Sequence, residues 1–324
     1  MNRAAVVAAS LLSLACAALA AAAEPAALPA DRLVFALVSM KSLYTDGPDA
    51  GANKSNLEAN LKRHLDFVDR AAAAGAEFVG FPEMSVSGYH FSANTTWLRL
   101  DGPEVKALAR KAAEKKVAIG AGIAEQDAAG KRWNTQFVVG PDGALAGWHH
   151  KIWLTKEKGV VEPGADHNVF EIKGVKTGIV TCADGSDFAN LQALADGGAR
   201  ILYGPHCNTT GGTTAGWYRF RAKWGGPWDG GTAMAKTNND GPEASMPSGG
   251  WIARLKVHAA LVNQAGLYDP ALAPPGPDAN TGWAGGAWFL GPDGRTLAQA
   301  PASAQKSDSR ECVLMCEIPI AAPR

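Results

Sequence analysis

Three residues of the chain supply the side chains that acyl transfer through a thiol requires. Each follows an apolar, strand-like run: Glu83 follows Phe78-Val-Gly-Phe-Pro82, Lys151 follows Ala146-Gly-Trp-His-His150, and Cys182 follows Gly178-Ile-Val-Thr181. Active sites of α/β proteins gather just past strand ends. A thiol with an ordinary pKa of about 8.5 needs help to become a nucleophile at neutral pH. If Cys182 opens a strand-to-helix turn, the helix dipole points at its sulfur. An ammonium such as Lys151 would stabilise both thiolate and oxyanion. A carboxylate such as Glu83 would take the thiol proton, activate water and protonate a leaving amine. Singly, these are a loop acid, a surface lysine and a quiet core thiol. Together they suffice for covalent acyl transfer.

The elements that must hold them read as follows. Leu33 to Ser39 forms an apolar strand, and Asn56 to Ala74 a helix with Leu57, Leu61, Leu65, Val68 and Ala72 on one stripe, ended by Gly75. A strand (Glu77 to Phe81), a helix (Pro103 to Lys116) and a strand (Val117 to Ile123) repeat the unit. Trp133 to Val139 and Ala144 to His149 flank Pro141-Asp142-Gly143 and read as a hairpin. Lys176 to Thr181 is a strand, Ser186 to Ala195 a helix and Arg200 to Tyr203 a strand. A helix near Gly250 to His258, a strand from Ala259 to Asn263 and a second hairpin at Gly291-Pro292-Asp293-Gly294 follow. Alternating strands and helices predict an α/β layered domain, and the wholly apolar strands a sheet covered on both faces.

The chain has 324 residues, with 31 Lys+Arg against 31 Asp+Glu. Zero net charge and the lack of a basic block argue against nucleic acid as a partner. Arg3, the apolar run Ala4 to Leu19 and the small residues Ala21-Ala22-Ala23 predict a signal peptide over residues 1–23 and a periplasmic or secreted protein. Cys16 offers a lipid-anchor alternative, and no stretch is long enough to span a bilayer. By length, the remainder, 24–324, fits one large α/β domain or two small ones. Cys182, Cys207, Cys312 and Cys316 are too few for a disulfide scaffold. Along a strand Cys312 and Cys316 lie ~13 Å apart, beyond bonding reach.

The chain resembles the nitrilase, or carbon–nitrogen hydrolase, superfamily over nearly all of the 24–324 region. Phe81-Pro-Glu83-Met-Ser-Val-Ser-Gly88-Tyr89 is similar to the family's segment around its catalytic glutamate, His150-Lys151-Ile-Trp-Leu154 to that around its lysine, and Gly178-Ile-Val-Thr-Cys182-Ala-Asp184 to that around its nucleophile. The resemblance implies a four-layer α-β-β-α sandwich, Cys182 as nucleophile, Glu83 as general base and Lys151 as oxyanion stabiliser. It implies Glu157 as a second active-site glutamate, with Glu162 a competitor, the Ala183 N–H in the oxyanion hole, and at least a homodimer. It implies no cofactor or metal. Trp133-Asn134-Thr135, Asn263 and Gly285-Gly286 match positions read as scaffold.

Within that family, Cys182-Ala-Asp184-Gly185 looks more like amide hydrolases than nitrilases, which usually read Cys-Trp-Glu. Ser186-Asp187-Phe188-Ala189 departs from the pattern of members acting on carbamoyl or dicarboxylate amides. The expected substrate is therefore a small amide, with a nitrile as alternative. An acyltransferase and a non-catalytic periplasmic binding protein are the other readings. The Gly- and Trp-rich stretch 206–250 is either a surface loop, an interface or a lid over the pocket. Tyr89, His206 and Trp217 are the expected substrate contacts. His206-Cys207 as a rival nucleophile pair, and His149-His150 as metal ligands, fail on geometry, since neighbours on a strand face opposite ways.

Overall fold

In the computed structural model of the protein, the residues described are 32–44, 50–91, 95–207, 250–267, 282–300 and 311–320. The expected signal segment, Cys16, Trp217 and nearly all of the 206–250 stretch lie outside them.

The chain begins with β1 (Arg32–Ser39), α1 (Ala50–Ala73), β2 (Phe78–Gly80), α2 (Pro103–Lys115), β3 (Ala118–Gln126), β4 (Arg132–Val139) and β5 (Leu145–His150). A second run comprises β6 (Val169–Ile172), β7 (Val175–Ile179), a 3-10 turn (Cys182–Ser186), α3 (Phe188–Asp196) and β8 (Ile201–His206). It continues with α4 (Gly250–Leu255), β9 (His258–Asn263), β10 (Ala265–Leu267), β11 (Gly282–Ala284), β12 (Ala287–Leu290), β13 (Thr296–Ala300) and β14 (Cys312–Pro319). Two six-stranded sheets result, ordered β14-β1-β2-β3-β4-β5 and β13-β12-β9-β8-β7-β6. Strands β1, β2 and β3 run parallel, as do β7, β8 and β9, and the outer strands are antiparallel.

Strand alternation builds the layers. On β1, Leu33, Phe35 and Leu37 meet Ile179, Ile201, Tyr203, Val262 and Phe289 between the sheets. Ala36 and Val38 point the other way and pack with Phe67 and Val68 of α1 and Leu108 of α2. On the far side, Val180, Leu202 and Leu261 pack with Leu191 and Leu194 of α3 and Ile252 of α4. The layers are helix, sheet, sheet and helix, as the resemblance implied. Each layer boundary is a closed apolar core, which accounts for the wholly apolar strands.

Differences from expectation are local. β6 and β7 form a hairpin that the apolar pattern did not announce. Its turn residues Lys173 and Gly174 have φ of 50° and 79°, the paired left-handed backbone of a two-residue hairpin loop. Cys312 and Cys316 lie on one strand and are unbonded. Tyr203 reaches from β8 into the first sheet, where its hydroxyl bonds the Phe81 carbonyl. That crossing needs glycine at 80 and 120: an added Cβ would stand 2.7 and 2.6 Å from the Tyr203 ring. Among the described residues no helix is long and apolar enough to cross a membrane.

Candidate active site

The site forms where the two sheets present the C-terminal ends of their parallel strands. β2 leads to Glu83, the edge strand β5 to Lys151, β7 to Cys182 and β8 to Cys207. Glu83, Lys151 and Glu157 are completely or almost completely buried, and Cys182 is half-buried. Lys151 Nζ donates to Glu83 Oε1 at 2.7 Å and also to Glu157 Oε1, so one ammonium lies between two carboxylates. Buried charges survive only when paired and hydrogen-bonded, and here both carboxylates share the one ammonium.

Each carboxylate oxygen has a donor. Asn134 Nδ2 donates to Glu83 Oε1 (2.8 Å) and to Glu157 Oε1 (3.1 Å), so it ties the two acids together. The Cys207 backbone N–H donates to Glu83 Oε2 at 3.0 Å. The Tyr89 hydroxyl donates to Glu157 Oε1 at 2.7 Å, and Thr155 donates to Glu157 Oε2 through its N–H (2.8 Å) and hydroxyl (3.0 Å). The turn after Glu83 is held as well: Gln264 Nε2 donates to the Glu83 carbonyl at 2.7 Å. Around these polar groups stand Tyr89, Met84, Ala124 and Trp283, with Phe91 and Trp97 at the margin. The Trp283 and Phe91 rings meet Tyr89 edge-on at 5.4 and 5.3 Å.

Two residues pay in backbone strain for this convergence. Met84, next to Glu83, and Cys182 itself both have φ of 47°, left-handed for residues that carry a Cβ. Such a conformation costs roughly 1–3 kcal/mol and persists only where its surroundings fix it. For Cys182 it makes the sharp exit from β7 into the 3-10 turn. The expected helix dipole on the sulfur is modified by this turn: α3 starts only at Phe188, capped by the Asp187 side chain on Ala189 N–H.

The electrostatics follow from burial and pairing. Burial penalises the charge of Lys151, yet Glu83 and Glu157 hold its proton affinity well above the ordinary lysine value. Burial would raise Glu157, but Lys151 outweighs it and holds the carboxyl at about 2. Glu83 is raised, by burial first and by the Glu157 charge, with Lys151 opposing. Burial, then the Glu83 charge, pushes the Cys182 thiol well above its usual range. Both influences favour the neutral thiol of Cys182, the expected nucleophile, and the protonated form of Glu83 is favoured by its own burial. This differs from the expectation of a thiolate prepared by Lys151, whose charge is already shared between two acids.

All four residues expected to be catalytic belong to this assembly, as does Tyr89. Ala183 is buried in the 3-10 turn directly after Cys182. His206 is fully buried at the end of β8, with Nδ1 bonded to the Gly204 carbonyl, and burial lowers it to about 4. Glu162, the competitor of Glu157, donates its backbone N–H to the Arg132 carbonyl and lines a surface cleft of about 590 Å³ with Ile152, Trp153 and Val161. That cleft includes neither Glu83, Lys151 nor Cys182. Four groups were missed from sequence: Asn134, read as scaffold, links both acids; the Cys207 amide, considered only as a thiol, holds Glu83; Thr155 holds Glu157; and Gln264 holds the Glu83 carbonyl. Two histidines in series on β5 do part: His149 bonds Asp184, while His150 bonds Glu125 and stacks on Trp133 at 4.3 Å.

Comparison with known proteins gives the family and the fold. The family profile described as "Carbon-nitrogen hydrolase" matches residues 36–321. The omega-amidase NIT2 of Mus musculus is 34% identical over 163 residues, covering 45% of this chain and 57% of the mouse protein. A cyanide hydratase of Gibberella zeae is 28% identical over 141 residues, covering 39% of each. The chain thus spans little more than half the length of the omega-amidases it matches, and less than half that of the cyanide hydratase. In fold, it is similar to the amidase from Nesterenkonia sp. AN1 solved in complex with acrylamide, with a TM-score of 0.64, 16% identity and coverage of 90% and 92% of the two chains.

Proposed function

Because the chain belongs to the carbon–nitrogen hydrolase family, we propose that it is an amidase working through a thioester on Cys182. The observation that carries this reading is the setting of Glu83. It is a buried carboxylate of raised proton affinity, held on one oxygen by Lys151 and Asn134 and on the other by the Cys207 amide, and its charge acts on the Cys182 thiol.

Cys182 Sγ attacks the amide carbonyl carbon while Glu83 takes the S–H proton. Lys151 and the Ala183 N–H meet the oxyanion that develops. Glu83 passes the proton to the nitrogen, the C–N bond breaks, and ammonia or an amine leaves. Glu83 then removes a proton from water, whose oxygen attacks the thioester. The C–S bond breaks, the carboxylic acid departs, and the proton returns to sulfur. Glu157 keeps Lys151 charged and in place throughout. Tyr89 and His206 border the acyl side, and Trp217 is proposed as a contact from the 206–250 stretch.

The Cys182-Ala-Asp184 sequence supports an amide over a nitrile, and the match to an omega-amidase supports the same choice. The cyanide hydratase match favours the nitrile as the second reading. A screen of short amides, aryl amides, nitriles and ureides, followed by ammonia or amine release, separates the two. Amides are expected to give acid with water as the only acceptor. Turnover of nitriles alone, or product only when an amine acceptor is added, would overturn the amidase. The apolar run after Arg3 supports export to the periplasm or beyond. N-terminal sequencing of the mature protein tests this, with loss of residues 1–23 expected.

A further inference from the structure

We propose that His149 and Asp184 form a positioning couple that sets the Lys151 ammonium against the Cys182 sulfur. The inference rests on the reading of Cys182 as nucleophile. Asp184 stands two residues after Cys182, in the 3-10 turn, and is 1% exposed. Its Oδ2 accepts from His149 Nε2 at 2.8 Å. Its Oδ1 accepts from the backbone N–H groups of Ile152 (3.1 Å) and Trp153 (2.6 Å). A side chain of the nucleophile turn thus grips the lysine segment on both sides of Lys151, at residues 149, 152 and 153. These contacts cross from one sheet to the other.

Its backbone holds the other end. Asp184 N–H donates to the Thr181 carbonyl at 3.0 Å, across Cys182, and the Asp184 carbonyl accepts from Asn190 Nδ2 at 3.1 Å on α3. The same residue therefore closes the turn that keeps Cys182 at φ 47° and fixes where Lys151 begins. A buried carboxylate is a poor choice if packing alone were wanted, because an apolar residue of like volume avoids its desolvation. What the carboxylate adds is direction: three donors from one segment fix its position along that strand end. His149 is 2% exposed and presents the hydrogen on Nε2, since a carboxylate can only accept. The chemistry touches neither side chain, so both act through Lys151 and Cys182.

The test compares His149→Leu, His149→Gln and Asp184→Ala with the native protein on an amide that it hydrolyses. The readouts are kcat and KM separately, and the rate at which iodoacetamide alkylates Cys182. Misplacement of a reacting group by about 1 Å costs about 10²-fold, and loss of a supporting hydrogen bond about 10–100-fold. His149→Leu is expected to lower kcat by about 10–100-fold with KM changed less than about threefold, and to alter the alkylation rate. His149→Gln, which keeps an N–H donor at similar reach, is expected to recover kcat to within about threefold of native. A leucine variant with native kcat, or a glutamine variant as poor as leucine, would overturn the couple. Should the leucine variant fail to fold, Asp184→Ala decides: it removes every acceptor that holds residues 149, 152 and 153, whereas Asp184→Asn can still pair with His149 through the other ring tautomer, and native kcat in the alanine variant would overturn the couple. Cys182→Ala in the same assay separates the two ideas. Activity surviving there sinks the nucleophile itself, whereas an inactive alanine variant beside an unimpaired His149→Leu sinks only the couple.

Discussion

The two sheets contribute unlike halves to one site. The first sheet supplies Glu83, Lys151, Asn134 and Glu157, a cluster that is buried and in which each carboxylate oxygen is bonded. The second supplies Cys182, half-buried, on a strained backbone and bearing a neutral thiol. The contrast separates two ways of preparing a reaction. The acid side stores preorganised charge whose geometry is over-determined by hydrogen bonds. The sulfur side stores a half-buried thiol whose geometry is set by a sharp turn. Damage to the first should therefore cost fold and activity together, and damage to the second activity alone.

The largest expected effect is Lys151→Met. It leaves two carboxylates in one buried site, so stability falls by about 3–5 kcal/mol and hydrolysis by about 10²–10³-fold or more. Urea unfolding and initial rates read both. Stability equal to native would break the contrast at its stronger half.

Acid tests the two halves through one buried histidine each. His64 of α1 bonds Ser85 Oγ (2.9 Å) and the Asn60 carbonyl (2.7 Å) behind the Glu83 turn, while His206 ends β8 on the sulfur side. Burial holds both at about 4 in the fold. The unfolded chain binds their protons at about pH 6.5, so between pH 6.5 and 4 it carries more protons than the native state. Stability must fall with pH across that window, by on the order of 2–3 kcal/mol per histidine. Glu157, held at about 2, is a depressed carboxyl, and its contribution is lost only lower, from its unfolded value down toward pH 2. Chemical denaturation at pH 7, 5.5 and 4.5 reads the histidine step, and a flat profile would contradict the burial of both rings.

The smallest effect has the opposite sign. Cys182→Gly removes a Cβ from a left-handed position, so it should be more stable than Cys182→Ala by about 1 kcal/mol while both are inactive. An equal or lower midpoint for the glycine variant would mean that the turn is unstrained.

Much of this was legible beforehand for one reason: Glu83, Lys151 and Cys182 follow recognisable apolar runs, and a strand end is a place where sequence pattern and chemistry coincide. The layered fold was legible for a related reason, since strands apolar on both faces demand cover on both faces. Asn134 escaped because it lies inside β4, where a polar residue reads as part of the scaffold. The Cys207 amide escaped because a backbone N–H has no letter of its own. The β6–β7 hairpin was written in Lys173-Gly174, but lysine is a weak sign of left-handed backbone. The strain at Cys182 was not legible at all, because it depends on where the two sheets force β7 to end.

The central claim is that acyl transfer passes through Cys182, and the mass of the protein during turnover tests it most directly. Native protein quenched while hydrolysing an amide should carry one acyl group on the peptide containing Cys182. The adduct should vanish as substrate is exhausted and be absent in Cys182→Ala. Steady hydrolysis with no adduct on that peptide, at an undiminished rate in the alanine variant, would contradict the account.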